Sequence, residues 1–464
     1  MTRLPDRGGE RIDRGRTVTF SFDGEPVEAL AGDTIASALY AAGRRTFSRS
    51  FKYHRRRGLL CCSGQCPNCL VQVDGAPGVR ACTEEVRAGI EVEHMNASPS
   101  LELDLMEAMD RVGGPFTPPG FYYKTFIRPR RLWPLYEKVL RHAAGLGRVA
   151  KRQPEREWHT EYRRRHCDVL VVGGGAAGLR AALAAAELGA DVVLCDQGPE
   201  PGGRLLAEGG QERARELTEL VRASGTEVLD NAPALGYFDG LVAIWRAATL
   251  HQVRARRHIF ATGTVEQPLV FAGNDLPGVM LSGGALRLAT LYSVAPGTRG
   301  VVATVDDRGL EAALALEAAG VEIAAVVDLR PDSGNPLAAE ARSRGIEVIA
   351  GSTVVGALGR RRVRGVDVAP IEEDGRTRRT IRCDLLVVSG GSAPATGMVA
   401  QTGGRTEYDP ERGHFALAEL PDSTHAAGEL TGAGAAEAAE LSGAVAGAEA
   451  AHALGLGDGA SRAR

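Results

Sequence analysis

The sequence predicts an α+β module on the N-terminal side followed by a longer α/β region, and three observations predict it. Four of the eight cysteines crowd into nine residues (Cys61, Cys62, Cys66, Cys69) within a strand–strand–helix–loop–strand–strand pattern. From Cys167 onward, strand, glycine-rich turn, helix and strand follow one another. A second strand–helix–strand lies between Gly300 and Asp328. Strands alternating with helices build parallel sheets with helices on their faces.

Residues 17–23, TVTFSFD, alternate apolar and polar and end in Asp23-Gly24, with Val27–Leu30 at hairpin distance. Asp33 is the expected cap of a helix whose apolar residues Ile35, Ala38, Leu39 and Ala42 share one face, and Gly43 its stop. Short strands follow at Leu70–Val73, before Asp74-Gly75, and at Ile90–Glu93. This order fits a small β-grasp domain over 1–96. Residues 97–165 read as a connector, with seven of the 23 aromatics between Phe116 and Tyr136. Such a strap packs on its own domains or forms a subunit interface, where aromatics and Arg serve as anchors. The first nucleotide-type domain is expected over 166–290 and 380–464, with Leu385–Val388 as one of its strands. A second subdomain is expected as an insertion at 291–379. The final GLGDGASRAR reads as a loose tail.

A 464-residue chain of net charge −3 can bury a large core and is no general nucleic-acid binder. The charged first sixteen residues lack the apolar core of a leader, and no run of 18 apolar residues occurs. The expected location is the cytoplasm, with membrane association only through a complex. In that compartment bunched cysteines point to metal rather than disulfides.

The spacing is Cys61-x4-Cys66-x2-Cys69-x12-Cys82. It matches the plant-type [2Fe–2S] pattern, three thiolates on one loop and a fourth from elsewhere. Gly64 lets the intervening amides turn toward the sulfurs. Zinc is the competing ligand, although structural zinc sites favour two C-x2–4-C pairs. Cys62 is off-pattern, with a one-residue ambiguity against Cys61. Cys167, Cys195 and Cys383 lie in or beside apolar strands and read as buried small hydrophobes.

The strand Asp168–Val172 enters Gly173-Gly174-Gly175-Ala176-Ala177-Gly178, a helix follows to Gly189, and Asp191–Cys195 ends at Asp196. This is the complete dinucleotide fingerprint. Gly173 allows the tight turn, Gly175 the approach of the pyrophosphate, and Gly178 close helix–strand packing, while the helix N-terminus presents free N–H groups. Asp196 can accept from a ribose hydroxyl and disfavours a 2′-phosphate, which leaves FAD or NAD. Gly203 and Arg204, Thr262 and Gly263, and Gly428 and Glu429 complete an ordered set of glycine-containing signatures of two-dinucleotide-domain flavoproteins. The second strand–helix–strand turns through Val305-Asp306-Asp307-Arg308-Gly309, without the glycine motif and with two carboxylates that would repel a phosphate. A structural subdomain without ligand is the expectation there.

Four stretches carry a resemblance: Arg49–Gly58 (RSFKYHRRRG), Pro118–Pro129, Tyr136–Gly147 and Gln267–Gly284. They resemble the α subunit of heterotetrameric sarcosine oxidase, with Arg56 where Pro is usual. That subunit lacks the cluster cysteines and carries a further folate-binding half, whereas this sequence has the cysteines and stops at 464. It is thus more similar to the α subunits of opine and D-hydroxyproline dehydrogenases and of hydrogen cyanide synthase. The resemblance implies a β-grasp [2Fe–2S] ferredoxin-like domain followed by a Rossmann-like flavoprotein with two dinucleotide-binding domains. It implies a D-amino-acid-oxidase-like β subunit with its own FAD, a small third subunit, and FMN at the interface with a partner. It also implies electron delivery to a quinone or cytochrome, and FAD, or alternatively NAD, on Gly173, Gly175, Gly178 and Asp196.

A flavin accepts two electrons and a [2Fe–2S] centre one, so the pair suits conversion of amine oxidation into single-electron steps. No hydrolytic triad, HExxH motif or paired carboxylates are present, and no side chain is assigned as catalytic. The run Arg44–Arg57 holds seven basic residues in fourteen. It reads as a flavin-phosphate contact or docking surface, as a solvated face, or last as a nucleic-acid patch. Two rivals remain: a self-contained NAD(P)H reductase passing electrons through FAD to the cluster, and a non-catalytic redox-sensing or assembly subunit.

Overall fold

The computed structural model describes residues 3–6, 8–51, 53–107, 128–143, 159–332, 334–373 and 377–457. Most of the aromatic strap, including Phe116–Phe126, lies outside the described residues. The chain divides into two compact units, one of Met1–Pro154 with Pro268–Gly391 and one of Glu155–Gln267 with Ser392–Arg464.

In the first unit, Asp13–Phe22 and Glu25–Ala31 form an antiparallel hairpin. Asp23 (φ +53°) and Gly24 (φ +80°) make the left-handed turn that suits the twist of the strands. Asp13–Phe22 then pairs in parallel with Glu91–Glu93, which pairs with Leu70–Val73, itself hairpinned to Ala76–Arg80. With the helix Ile35–Ala41 on this sheet, the module has the expected β-grasp order. The cap differs from expectation. Thr34, not Asp33, caps the helix by accepting from the Ser37 amide, and Ser37 closes the box on the Thr34 amide. Asp33 is fully buried and instead accepts from the Leu30 amide, the Ser37 hydroxyl and Arg3.

The same unit contains a five-stranded parallel sheet. Its order is Val279–Leu281, Leu385–Ser389, Arg299–Thr304, Glu322–Asp328, Glu347–Ile349. Helix Asp307–Ala318 crosses between its central strands, as the pattern predicts. A three-stranded antiparallel sheet, Ser352–Leu358, Gly365–Pro370 and Arg379–Ile381, shares its core through Val354, Val366 and Val368. The segments 279–290 and 385–389, expected in the first nucleotide domain, belong instead with this second sheet, whose ladder takes in Val279–Leu281 and Leu385–Ser389. The insertion is therefore longer than 291–379 at both ends. Apolar strands carry no local label for the sheet they join, so the boundary could not be read from their composition.

In the second unit, Glu227–Leu229, Val192–Cys195, Glu161–Val172 and Thr249–Phe260 run in parallel, and Thr424–Ala426 adds to the last. Leu241–Arg246 and Ala234–Phe238 extend the sheet antiparallel. The first strand begins at Glu161, so the end of the expected connector is sheet. Both faces are buried. Val169 and Val171 meet helices Ala176–Glu187 and Ala436–His452, while Leu170 and Val172 meet Val242, Ile244 and Phe260. Those two Ala-rich helices approach at backbone contact. A Cβ on Gly443 would stand 2.0 Å from the Ala177 carbonyl oxygen, and one on Gly447 2.2 Å from that of Ala181.

Candidate cofactor sites

The cysteine loop belongs to the first unit. Cys61, Cys69 and Cys82 are buried, Cys66 is partly so, and all are free thiols. The Cys61 sulfur makes hydrogen-bonding contact with those of Cys66 and Cys82, and Cys69 with Cys82. Hydrogen bonds from these neighbours lower the Cys61 and Cys69 thiols, and the Cys66 and Cys82 thiols are pushed up in return. Cys61, Cys66, Cys69 and Cys82 are thus linked by sulfur contacts. Cys62 sits at φ +48° and is only partly buried. Gly64, at φ +74°, turns the loop tightly enough that a Cβ would lie 3.0 Å from Thr83.

Among the described residues, no three His, Cys, Asp or Glu side chains are arranged to hold one metal ion. The sulfur contacts run 66 with 61, 61 with 82 and 82 with 69.

The support for this loop was not evident in its own sequence. The Leu281 amide donates to the Leu60 carbonyl, and Arg287 donates to the Cys61 carbonyl at 3.4 Å. A Cβ on Gly284 would fall 2.2 Å from the Leu60 oxygen, so only glycine admits the loop there. These partners lie more than 200 residues away, beyond any local pattern; the only hint was the family-like stretch Gln267–Gly284. The basic run Arg44–Arg57 is largely structural. Arg49 is buried and donates to the carbonyls of Leu101 and His54 and to Glu107. Arg44 pairs with Glu25, and Arg55 and Arg57 with Asp275.

The glycine turn of the second unit has the form a dinucleotide needs. Gly173 takes φ +106°, and its Cβ would lie 2.4 Å from the Ala261 oxygen. A Cβ on Gly178 would lie 1.8 Å from the Gly173 oxygen, while one on Gly175 meets nothing within 4 Å. Gly173 and Gly178 are therefore required by packing, and Gly175 faces open space at the helix N-terminus, where a pyrophosphate is received. The Asp196 carboxylate accepts from the amides of Gly174 (2.5 Å) and Gly198 (2.6 Å). It braces the turn as well as standing at the strand end expected for a ribose contact.

Gly203 lies against this turn, its Cβ position 3.0 Å from Gly175 Cα. Arg204 is tied to Glu208 (2.8 Å) and to Glu429, and Glu429 also accepts from the Thr264 hydroxyl at 2.7 Å. The cation expected for phosphate is thus neutralised by carboxylates. Thr262 donates to the Ala395 carbonyl at 3.0 Å, Gly263 takes φ +66°, and a Cβ on Gly428 (φ +72°) would lie 2.6 Å from that of Ala177. Burial pushes the thiols of Cys167, Cys195 and Cys383 up to about 12, as inert core residues.

At the second strand–helix–strand turn, Asp306 accepts from the Ser389 hydroxyl at 2.9 Å, and Asp307 from Arg330 at 2.8 Å and Asn335 at 2.7 Å. Side chains of the chain itself thus gather at that helix N-terminus. No described helix is long and apolar enough to cross a membrane.

Residues 15–97 match the 2Fe-2S iron-sulfur cluster binding domain, and residues 167–413 match pyridine nucleotide-disulphide oxidoreductase. The chain is 38% identical to the alpha subunit of sarcosine oxidase from Rhizobium meliloti over 89% of its own length and 43% of that protein's. It is 29% identical to hydrogen cyanide synthase subunit HcnB of Pseudomonas aeruginosa over 60% of this chain and 69% of HcnB. It spans less than half the length of the sarcosine oxidase subunits it matches. Among solved structures, L-proline dehydrogenase from P. horikoshii superimposes with a TM-score of 0.69 at 21% identity, over 98% of this chain and 76% of that one. That likeness shows the fold: a ferredoxin-like module with a Rossmann-like flavoprotein architecture. With a cluster-binding domain ahead of its nucleotide-binding region, the chain belongs to the pyridine nucleotide-disulphide oxidoreductases, in the family that holds the sarcosine oxidase alpha subunit, HcnB and the corresponding opine oxidase chain.

Proposed function

We propose that this chain is the electron-transferring subunit of a heteromeric flavoprotein that oxidises a secondary amine or amino acid of the sarcosine, opine or hydroxyproline type. The observation that carries the reading is the presence, in one chain, of a converged four-thiol loop and a glycine turn open only at Gly175. Cys61, Cys66, Cys69 and Cys82 would hold a [2Fe–2S] cluster. Gly173, Gly175 and Gly178 would admit the FAD pyrophosphate, with Asp196, Gly203, Arg204, Thr262, Gly263, Gly428 and Glu429 around it. The flavin supplies two-electron chemistry and the cluster one-electron chemistry.

The chain's own residues position and insulate. Asp196 braces the turn through two amides, Arg204 and Glu429 hold two segments together, and burial of three thiols keeps water from the cluster loop. No side chain is assigned to proton transfer, and substrate oxidation belongs to a partner of the D-amino-acid-oxidase type. The resemblance to these complexes adds to the proposal a small third subunit, FMN where two subunits meet, and a quinone or cytochrome as acceptor.

Co-expression with the partner, followed by a screen of secondary amines and amino acids against a dye acceptor, tests this. Turnover is expected only from the complex. Reduction of the isolated chain by NADH, without partner or amine, would establish the self-contained reductase instead.

A further inference from the structure

Many arginines of the first unit end on carboxylates: Arg3 on Asp33, Arg57 on Asp275, Arg299 on Glu322, Arg330 on Asp328. One group does not. The hairpin between Ser352–Leu358 and Gly365–Pro370 carries Arg360, Arg361, Arg362 and Arg364, all exposed and none in an ion pair with a described carboxylate. Gly359 makes this crowding feasible. At φ +148° its Cβ would stand 2.0 Å from the Arg362 oxygen, so the turn closes on itself and presents three consecutive arginines.

These four line, together with Arg45, Thr46 and Gly43, a cavity of about 470 Å³. Arg45 is held in place, its guanidinium 3.7 Å from the centre of the Tyr40 ring and donating to the Tyr40 carbonyl at 2.6 Å. Burial pulls it below its ordinary value, and Arg362 adds like-charge repulsion. Asp384, the carboxylate whose field reaches Arg45, already accepts from the amides of Thr298 and Arg299 and from the Thr298 hydroxyl.

Five arginines lining one concave space focus a positive field into it. The volume is that of a small-molecule site, in the general range of about 300–1,000 Å³. Guanidinium forks match phosphate oxygens bidentately. The Tyr40 ring is covered by Arg45, so the recognition must come from charge rather than from stacking on a base. We propose that this arginine cleft binds a small molecule bearing two or more adjacent phosphates, at a site separate from the glycine turn. The phosphates come from inorganic pyrophosphate or from a nucleoside diphosphate, and the chemistry of the contact is the same.

Titration calorimetry on the full chain with inorganic pyrophosphate, ADP and sulfate at matched ionic strength tests it. One pyrophosphate per chain is expected, bound far more tightly than sulfate. The Arg360→Ala/Arg362→Ala double variant, and separately Arg361→Glu, should weaken it at least tenfold, while Arg299→Ala should not. These side chains are exposed, and an unchanged melting temperature shows that the variants fold. Tighter binding of ADP assigns the phosphates to a nucleotide, and equal binding assigns recognition to the phosphates alone; either upholds the site. Pyrophosphate that binds no better than sulfate, or binds the double variant as well as wild type, overturns it.

Discussion

Gly175 and Gly178 stand three residues apart in one turn, yet substitution by alanine should separate binding from folding. At Gly178 the new Cβ would lie 1.8 Å from the Gly173 oxygen, against an ordinary separation of at least 3.4 Å. Helix Ala176–Glu187 would have to withdraw by more than an ångström. It has no room, because Gly443 and Gly447 already bring the C-terminal helix to backbone contact on its other side. Overpacking of this kind costs about 1–3 kcal/mol. For a unit of this size that is a fall in melting temperature of roughly 2–12 °C. At Gly175, φ is −71° and nothing lies within 4 Å, so Gly175→Ala should leave the cofactor-free protein within about 0.5 kcal/mol of wild type. Its methyl group would nonetheless stand where the pyrophosphate must approach. A loss of dinucleotide affinity of tenfold or more, about 1.4 kcal/mol, is expected. Thermal melts of the cofactor-free variants, with flavin absorbance per chain after gel filtration, read both effects. The reasoning fails if Gly175→Ala destabilises the cofactor-free protein as much as Gly178→Ala does, or if it retains the dinucleotide with unchanged affinity.

Three further predictions concern other parts of the molecule. Cys82→Ser should abolish the paramagnetic signal of the reduced protein while leaving flavin bound; a surviving signal means the fourth ligand is misassigned. Cys62→Ser should keep the full signal and iron content, since Cys62 lies off the C-x4-C-x2-C spacing and is only partly buried, and loss of iron would make Cys62 the ligand in place of Cys61. His258 is buried between Tyr237 and Phe260, and the Gly240 and Ser423 backbones lie near its ring without completing a hydrogen bond to either ring nitrogen. Burial lowers its pKa from 6.5, so the folded ring stays neutral where the unfolded chain takes up a proton. Stability should therefore fall as pH drops below 6.5, by at most about 1.4 kcal/mol per pH unit for this one group. His251 and His425, also lowered by burial, act in the same direction. His94, raised chiefly by its hydrogen bond to Asp23, opposes them: its contribution is present below 6.5 and lost as pH rises through its folded value. His258→Phe keeps the ring contacts and should flatten the acid limb of a denaturation series; an unchanged limb would refute the assignment.

Short-range chemistry made much of this protein legible before any fold was known. Cysteine spacing, the Gly173–Gly178 turn with Asp196 at the next strand end, and the Asp23-Gly24 and Asp74-Gly75 hairpins are all local. Each depends on which backbone angles and side-chain reaches a few consecutive residues allow. The same local reasoning failed where the answer depended on a distant partner. Asp33 resembles a cap by position, but Arg3 and the Leu30 amide claim its carboxylate, and Thr34 takes the role. Val279–Leu281 and Leu385–Ser389 resemble strands of any buried sheet, and only their hydrogen bonds decide which one. The basic run Arg44–Arg57 looks like a single surface, but the fold sends Arg49 inward and turns Arg45 toward arginines more than 300 residues away. Sequence by itself thus determined the cofactor-type motifs and the class of each domain, because those rest on neighbours along the chain. Tertiary structure alone decided the domain boundary, the glycine that admits the cluster loop and the arginine cleft, because burial and pairing partners come from segments that no local pattern links.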